Sequence, residues 1–179
     1  MIIMTAYQQT MNPALKIAVT AVFAALVFVA TYSFVVSIPA TSGYFNLGET
    51  IIYVVALIFG PLAGGLAGGV GAMIADILLA AQFAPGTLIV KGFEGALVGF
   101  VNQKLHKHMS RSLSATIAII VGGLEMVAGY FIYEQLVLGY PMAVALAEVP
   151  FNLVQMIVGL VIAVPVVHAI LRVFPQLKS

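Results

Sequence analysis

Long apolar runs, broken only by short stretches bearing proline, glycine or lysine, fill this sequence and dictate what it folds into. A helix crossing a bilayer takes about 20 mostly apolar residues. Six candidate segments emerge, at about 15–36, 47–59, 62–81, 85–105, 113–138 and 142–171. Only 7% of the residues are charged and 63% are hydrophobic, whereas about a quarter of a soluble domain is charged. So few charges cannot cover a water-exposed globule, and so much apolar mass excludes disorder. The chain therefore reads as an all-α integral membrane bundle of six transmembrane helices. It forms a single domain over 1–179 and is a multi-pass protein of the cell membrane. The first run is too long for a signal-peptide core and is read as a retained span.

The breaks carry information of their own. Pro61, Pro85 and Pro141 stand where helices begin, the position proline tolerates best. Pro150 and Pro165 fall inside the last segment and predict kinks, or for Pro165 an end. The second segment is short for a full crossing. Lys16 precedes the first span, Lys104, Lys107 and Arg111 lie between the fourth and fifth, and Arg172 and Lys178 follow the sixth. The connections after spans one, three and five hold no Lys or Arg. Basic residues stay on the cytoplasmic side, so both termini are expected there, as an even number of spans requires. A near-zero net charge of +1 points to no nucleic-acid partner. With no cysteine, disulfides, thiol nucleophiles and Cys-metal sites are excluded.

Ionisable groups in hydrocarbon are costly and mark pairs, cavities or pathways. In the orientation above, Glu49, Asp76, Lys91, Glu94, Glu125, Glu134 and Glu148 fall at roughly one level, toward the outer face. A relay or channel would string such groups across the whole thickness. A shared level predicts one outward-facing polar cavity instead. Lys91 and Glu94 share a helix face, as do Glu148, Asn152 and Gln155. Asp76 and Lys91 are expected to pair across spans three and four, because a buried charge needs a partner. Glu94 is either a second partner of Lys91 or a ligand contact. Glu125, Glu148 and Asn152 are expected to line the cavity, and Glu49 either caps its helix or touches ligand. Tyr44, Asn46 and Tyr130 are candidate ligand contacts among the aromatic and polar residues at the same level. The polar, turn-forming segment 37–46 is either a lid over that cavity or an ordinary surface loop.

Small residues recur at helical spacing. Gly60, Gly64 and Gly68 repeat every fourth residue, as do Gly65 and Gly69. That period strips bulk from one face and lets a neighbouring helix approach. No Gly-Lys-Ser/Thr follows, so this is no phosphate loop. Ala14 and Ala18, then Ala21 and Ala25, form a smooth ridge on the first span. It serves either its own bundle or a partner membrane protein.

The strings Phe45-Asn-Leu-Gly-Glu49, Leu57-Ile-Phe-Gly-Pro61, Gly68-Gly-Val-Gly-Ala-Met-Ile-Ala-Asp-Ile-Leu78 and Ile89-Val-Lys-Gly-Phe-Glu94, in this order, resemble the substrate-binding S components of energy-coupling factor (ECF) vitamin transporters. Ala21-Val-Phe-Ala-Ala-Leu26 is similar to that family's alanine motif on the first helix. The resemblance implies six helices and a vitamin pocket near the outer face, closed by the first loop. It implies a partner complex of one coupling transmembrane protein and two ATPase subunits, with Ala21 and Ala25 at the docking face. It implies capture of a water-soluble vitamin or precursor, pyridoxine-like, hydroxymethylpyrimidine-like or riboflavin, for ATP-driven uptake. The chain has no nucleotide-binding motif of its own. His106, His108 and His168 lie toward the inner face, and neither a metal nor a cofactor is expected.

Two other classes stand beside this reading. A membrane enzyme would use Glu125 and Glu148 as acid and base, but no nucleophile or metal-ligand set accompanies them. A self-contained ion-coupled carrier commonly shows duplicated halves with broken helices, and no convincing duplication is present.

Overall fold

The computed structural model describes residues 12–177. Six α-helices run through the described residues: α1 (Pro13–Ser33), α2 (Gly48–Phe59), α3 (Pro61–Leu79), α4 (Ala84–Leu105), α5 (Arg111–Leu136) and α6 (Met142–Val173). Each matches one expected span to within a few residues. Local chemistry sets several ends. The Asn12 side chain accepts from Ala14 N at 3.0 Å to cap α1, and Ser110 caps α5. Pro61 and Pro85 sit in first turns, where no backbone donor is lost. Pro150 and Pro165 both lie inside a continuous α6, so Pro165 does not end it. Gly60 closes α2 and opens α3 at φ 84°, a conformation that a side chain would oppose. This lets two helices join without a loop.

Five helices are long and apolar enough to cross a membrane. The exception is α2, whose 12 residues reach only about 18 Å. It is the inner element, packed against α1, α3, α4 and α6. Ile52, Tyr53, Val55 and Ala56 are accordingly buried. Large apolar side chains on the outer helices, such as Ile17, Leu62, Ile89 and Leu136, are exposed.

One expectation fails between α1 and α2. The first span was to continue to Val36, but α1 stops at Ser33 and the chain turns into a hairpin. Strands β1 (Val36–Ile38) and β2 (Gly43–Phe45) pair antiparallel, with Ser37 opposite Tyr44 and Ile38 opposite Gly43. The turn closes with Thr41 N and Ser42 N both donating to Ile38 O. Ile38 points inward at 2% exposure, so one apolar side chain roots the hairpin on the bundle.

The glycine stripe is a seam between α3 and α4. A Cβ at Gly69 would stand 2.7 Å from Leu88 O, one at Gly65 2.8 Å from Gly92 O, and one at Gly68 2.9 Å from Lys91 O. The two backbones are therefore in direct contact. A Cβ at Gly92 would meet nothing nearer than 3.6 Å. Gly69→Ala is therefore expected to lower the thermal unfolding midpoint in detergent, at a cost of about 1–3 kcal/mol. Gly92→Ala should leave it near wild type, and equal midpoints for the two variants would contradict the seam.

Candidate ligand-binding cavity

The hairpin lies over a cavity of about 30 Å³ at one end of the bundle, space for little more than a water molecule or two. Its walls come from distant parts of the sequence. β2 and the residue after it supply Tyr44 and Asn46, α3 supplies Asp76, α5 supplies Tyr130, and α6 supplies Glu148 and Asn152. Gly43, Phe83 and Gln155 complete the lining. Five expected ligand contacts are thus brought together: Tyr44, Asn46, Tyr130, Glu148 and Asn152.

Three others stand apart from the walls. Glu49 and Glu94 are fully buried and flank Lys91, which is itself 3% exposed. Lys91 Nζ is ion-paired with Glu49 Oε1 and lies 3.3 Å from Glu94 Oε2. Tyr53 donates to Glu94 Oε1 at 2.7 Å. The ammonium also sits 5.4 Å from the Tyr130 ring centroid, a cation–π distance. Glu125 is half-buried on α5 and is not part of the cavity wall.

The expected Asp76–Lys91 ion pair is corrected by this arrangement. The seam sets α3 and α4 in a register where Lys91 is level with Gly68. Asp76 lies eight residues further along α3, roughly 12 Å along the axis. At that height it meets hydroxyl groups: Tyr44 donates to Asp76 Oδ1 and Thr87 to Asp76 Oδ2. A hydroxyl has one proton, so Tyr130, 2.8 Å from Thr87 Oγ1, is the donor in that contact. The result is a directed chain from Tyr130 through Thr87 to Asp76, met from the hairpin side by Tyr44. Burial, reinforced by the Asp76 charge, pushes the Tyr44 phenol well above its ordinary range and keeps it a donor.

A second set of bonds holds the hairpin's exit. Asn46 N donates to Gln155 Oε1 at 2.7 Å, and Gly48 N donates to Asn46 Oδ1 at 2.8 Å. Tyr140, in the α5–α6 connection, donates to Thr41 O at 2.9 Å. Side chains from two helices and one connection therefore hold the short hairpin: Asp76 of α3, Gln155 of α6 and Tyr140 between α5 and α6.

Thr87 and the Tyr140 contact were not anticipated. Thr87 carried a signal, since residues 87, 91 and 94 share one face of α4 at helical spacing. All six acidic side chains of the sequence lie between the hairpin end of the bundle and its mid-height. Lys104, Lys107, Arg111 and Arg172 lie at the opposite end. Lys178 is outside the described residues. No cluster of three or more metal-ligating side chains occurs among the described residues.

Residues 11–172 match the family model described as "ECF-type riboflavin transporter, S component". The chain belongs to this family. It is 31% identical over 150 residues to the "Thiamine precursor transporter HmpT" of Lactococcus lactis subsp. cremoris, covering 83% of this chain and 82% of that protein. It is 39% identical over 127 residues to an "Uncharacterized protein in gap 3'region" of Pyrococcus woesei, covering 71% and 82%. A solved S component of a bacterial ECF transporter shares the fold, with a TM-score of 0.68 at 18% identity, over 94% of this chain and all of that one. This S component is thus a multi-pass protein of the cell membrane and a transporter subunit rather than an enzyme. S components bind vitamins or their precursors and work with a coupling membrane protein and ATPases.

The ion-paired triad at mid-height is a structural element whose loss is measurable. Lys91→Met leaves Glu49 and Glu94 buried without a counter-charge and is expected to destabilise by about 3–5 kcal/mol. Adding Glu49→Gln and Glu94→Gln removes the stranded charges and should restore most of the midpoint in thermal unfolding. A Lys91→Met protein as stable as wild type would refute the role of the pair.

Proposed function

We propose that this S component captures a small water-soluble vitamin or precursor from outside the cell, in the cavity beneath the hairpin. ATP-driven uptake is then powered by a coupling transmembrane protein and two ATPase subunits. The observation that carries the reading is the cavity wall itself. Asp76, Glu148 and Asn152 offer acceptors, Tyr44, Phe83 and Tyr130 offer ring faces, and one hairpin covers them. A heterocycle carrying hydrogen-bond donors suits such walls. The cavity of about 30 Å³ is smaller than any vitamin, so entry requires the hairpin to lift. Tyr44–Asp76 and Asn46–Gln155 are the bonds that must open.

A single polar ring, as in hydroxymethylpyrimidine or pyridoxine, displaces less of the hairpin than a tricyclic flavin does. The relative named as a thiamine precursor transporter favours the smaller ring. Riboflavin is the second reading, favoured by the family description. The orientation follows from charge. The cationic end of the bundle, with Lys104, Lys107, Arg111 and Arg172, faces the cytoplasm, which turns the hairpin outward.

Docking to the partner is assigned to the alanine ridge of α1. Ala14, Ala18, Ala21 and Ala25 are exposed. The α1 contact with α3 runs instead through Ala24 and Val27, against Gly71. A smooth exposed ridge suits close helix contact within a membrane.

Two measurements test the proposal. Calorimetric titration of the purified protein in detergent with hydroxymethylpyrimidine, pyridoxine and riboflavin is expected to give tightest binding to a single-ring ligand. Tight binding of riboflavin alone would replace that reading with the second. In vesicles, Ala21→Leu and Ala25→Leu should leave binding unchanged yet cut uptake with the full complex by about tenfold or more, since added bulk separates packed helices. Unimpaired uptake would remove the ridge from docking, and uptake by this chain alone under an ion gradient would favour a self-contained carrier.

A further inference from the structure

Two acidic residues, Glu125 and Glu134, belong neither to the cavity wall nor to the ion-paired triad, and the fully buried one is Glu134. It lies on α5, and no donor reaches either of its carboxyl oxygens. Its neighbour is another carboxyl, that of Glu148 on α6, within hydrogen-bond reach. Glu148 does line the cavity, and its Oε2 also has no donor. The hairpin lies directly on this carboxyl: a Cβ at Gly43 would stand 2.7 Å from Glu148 Oε1 and 2.8 Å from Oε2.

Two ionised carboxylates cannot face each other at such burial without a donor between them. The other ionisable or polar groups nearby give Glu134 no donor. Asp76 on α3 adds a further negative charge, and the Tyr44 and Tyr140 hydroxyls are committed to Asp76 and Thr41 O. Lys91 is engaged by Glu49 and Glu94. A proton on Glu134 converts the contact into an O–H donated to Glu148, a strong charge-assisted bond. Glu148 then stays a charged acceptor, steadied from behind by Glu134 and from the hairpin by the Thr41 hydroxyl. Its remaining lone pairs face the cavity, with Asn152 one turn along the same face of α6.

We propose that Glu148 reads an amino or ring N–H group of the ligand, and that Glu134 is a positioning residue whose acid form donates to Glu148 from outside the cavity. The inference rests on the proposed binding function and narrows its ligand to a heterocycle that presents an N–H donor. A carbonyl or anionic group at the same place would face a carboxylate and be rejected.

The test compares hydroxymethylpyrimidine with its analogue lacking the ring amino group, by calorimetric titration in detergent. Wild type is expected to bind the amino compound about 10- to 100-fold more tightly, the range for a hydrogen bond to a charged group. Glu148→Gln should erase most of that discrimination. Glu134→Gln keeps an N–H that can donate to Glu148 and should bind within about threefold of wild type, a difference of well under 1 kcal/mol. Glu134→Leu matches the shape without the donor and should lose about tenfold or more. Thermal unfolding midpoints of all variants establish that each is folded. Glu134→Leu binding like wild type, Glu134→Gln as weak as Glu134→Leu, or Glu148→Gln retaining discrimination would each overturn the inference alone. Binding of riboflavin but of neither pyrimidine would overturn the single-ring reading, and an unchanged riboflavin affinity in Glu148→Gln would then overturn the inference as well.

Discussion

The backbone contact between α3 and α4 is the constraint from which the rest of the structure follows. Glycines at 65, 68 and 69 bring α3 onto the carbonyls of Gly92, Lys91 and Leu88. With no side chains in between, the register of the two helices is set by backbone shape. That register decides which polar residues share a height. Lys91 comes level with the start of α2 and takes Glu49 and Glu94 as partners. Asp76 is carried to the hairpin end and takes the hydroxyls of Tyr44 and Thr87. A displacement of one turn, about 5.4 Å, would break both sets of contacts.

Four of the six carboxyls thereby divide into two populations with different chemistry. Glu49 and Glu94 share Lys91, the one buried lysine among the described residues. Asp76 and Glu148 have no cation. Hydroxyl donors and a neighbouring carboxyl hold them instead, and they present acceptors to the cavity wall. Removing charge from the first population affects folding, because stranded buried ions are costly. Removing it from the second is proposed to affect recognition. The hairpin meets the second population, latched through Tyr44 to Asp76, and is anchored separately through Asn46 to Gln155.

Much of this was legible in the residues. The six apolar runs located the helices to within a few positions, because span length and polar breaks are local properties. The shared height of the ionisable groups predicted a cavity at one end, where Glu148, Asn152, Tyr44, Asn46 and Tyr130 do meet. The segment 37–46 reads from sequence as a lid or an ordinary surface loop, without strands, because three-residue strands such as Val36–Ile38 leave too short an alternation to detect. From the sequence Glu49 is either a helix cap or a ligand contact, because it begins a helix. It is buried because that helix is the short inner one, enclosed by four others. Thr87 went unremarked because a hydroxyl in an apolar helix acquires significance only from what it faces.

The sequence by itself determined the class of molecule, the number and ends of its helices, the glycine face of α3 and the alanine ridge of α1. Each of these rests on composition or on spacing along one segment. Which carboxyl pairs with Lys91, which ones reach the cavity, and which face of α1 stays exposed were decided by the tertiary structure alone. Those outcomes depend on the relative height and rotation of helices, and helix periodicity is silent about both.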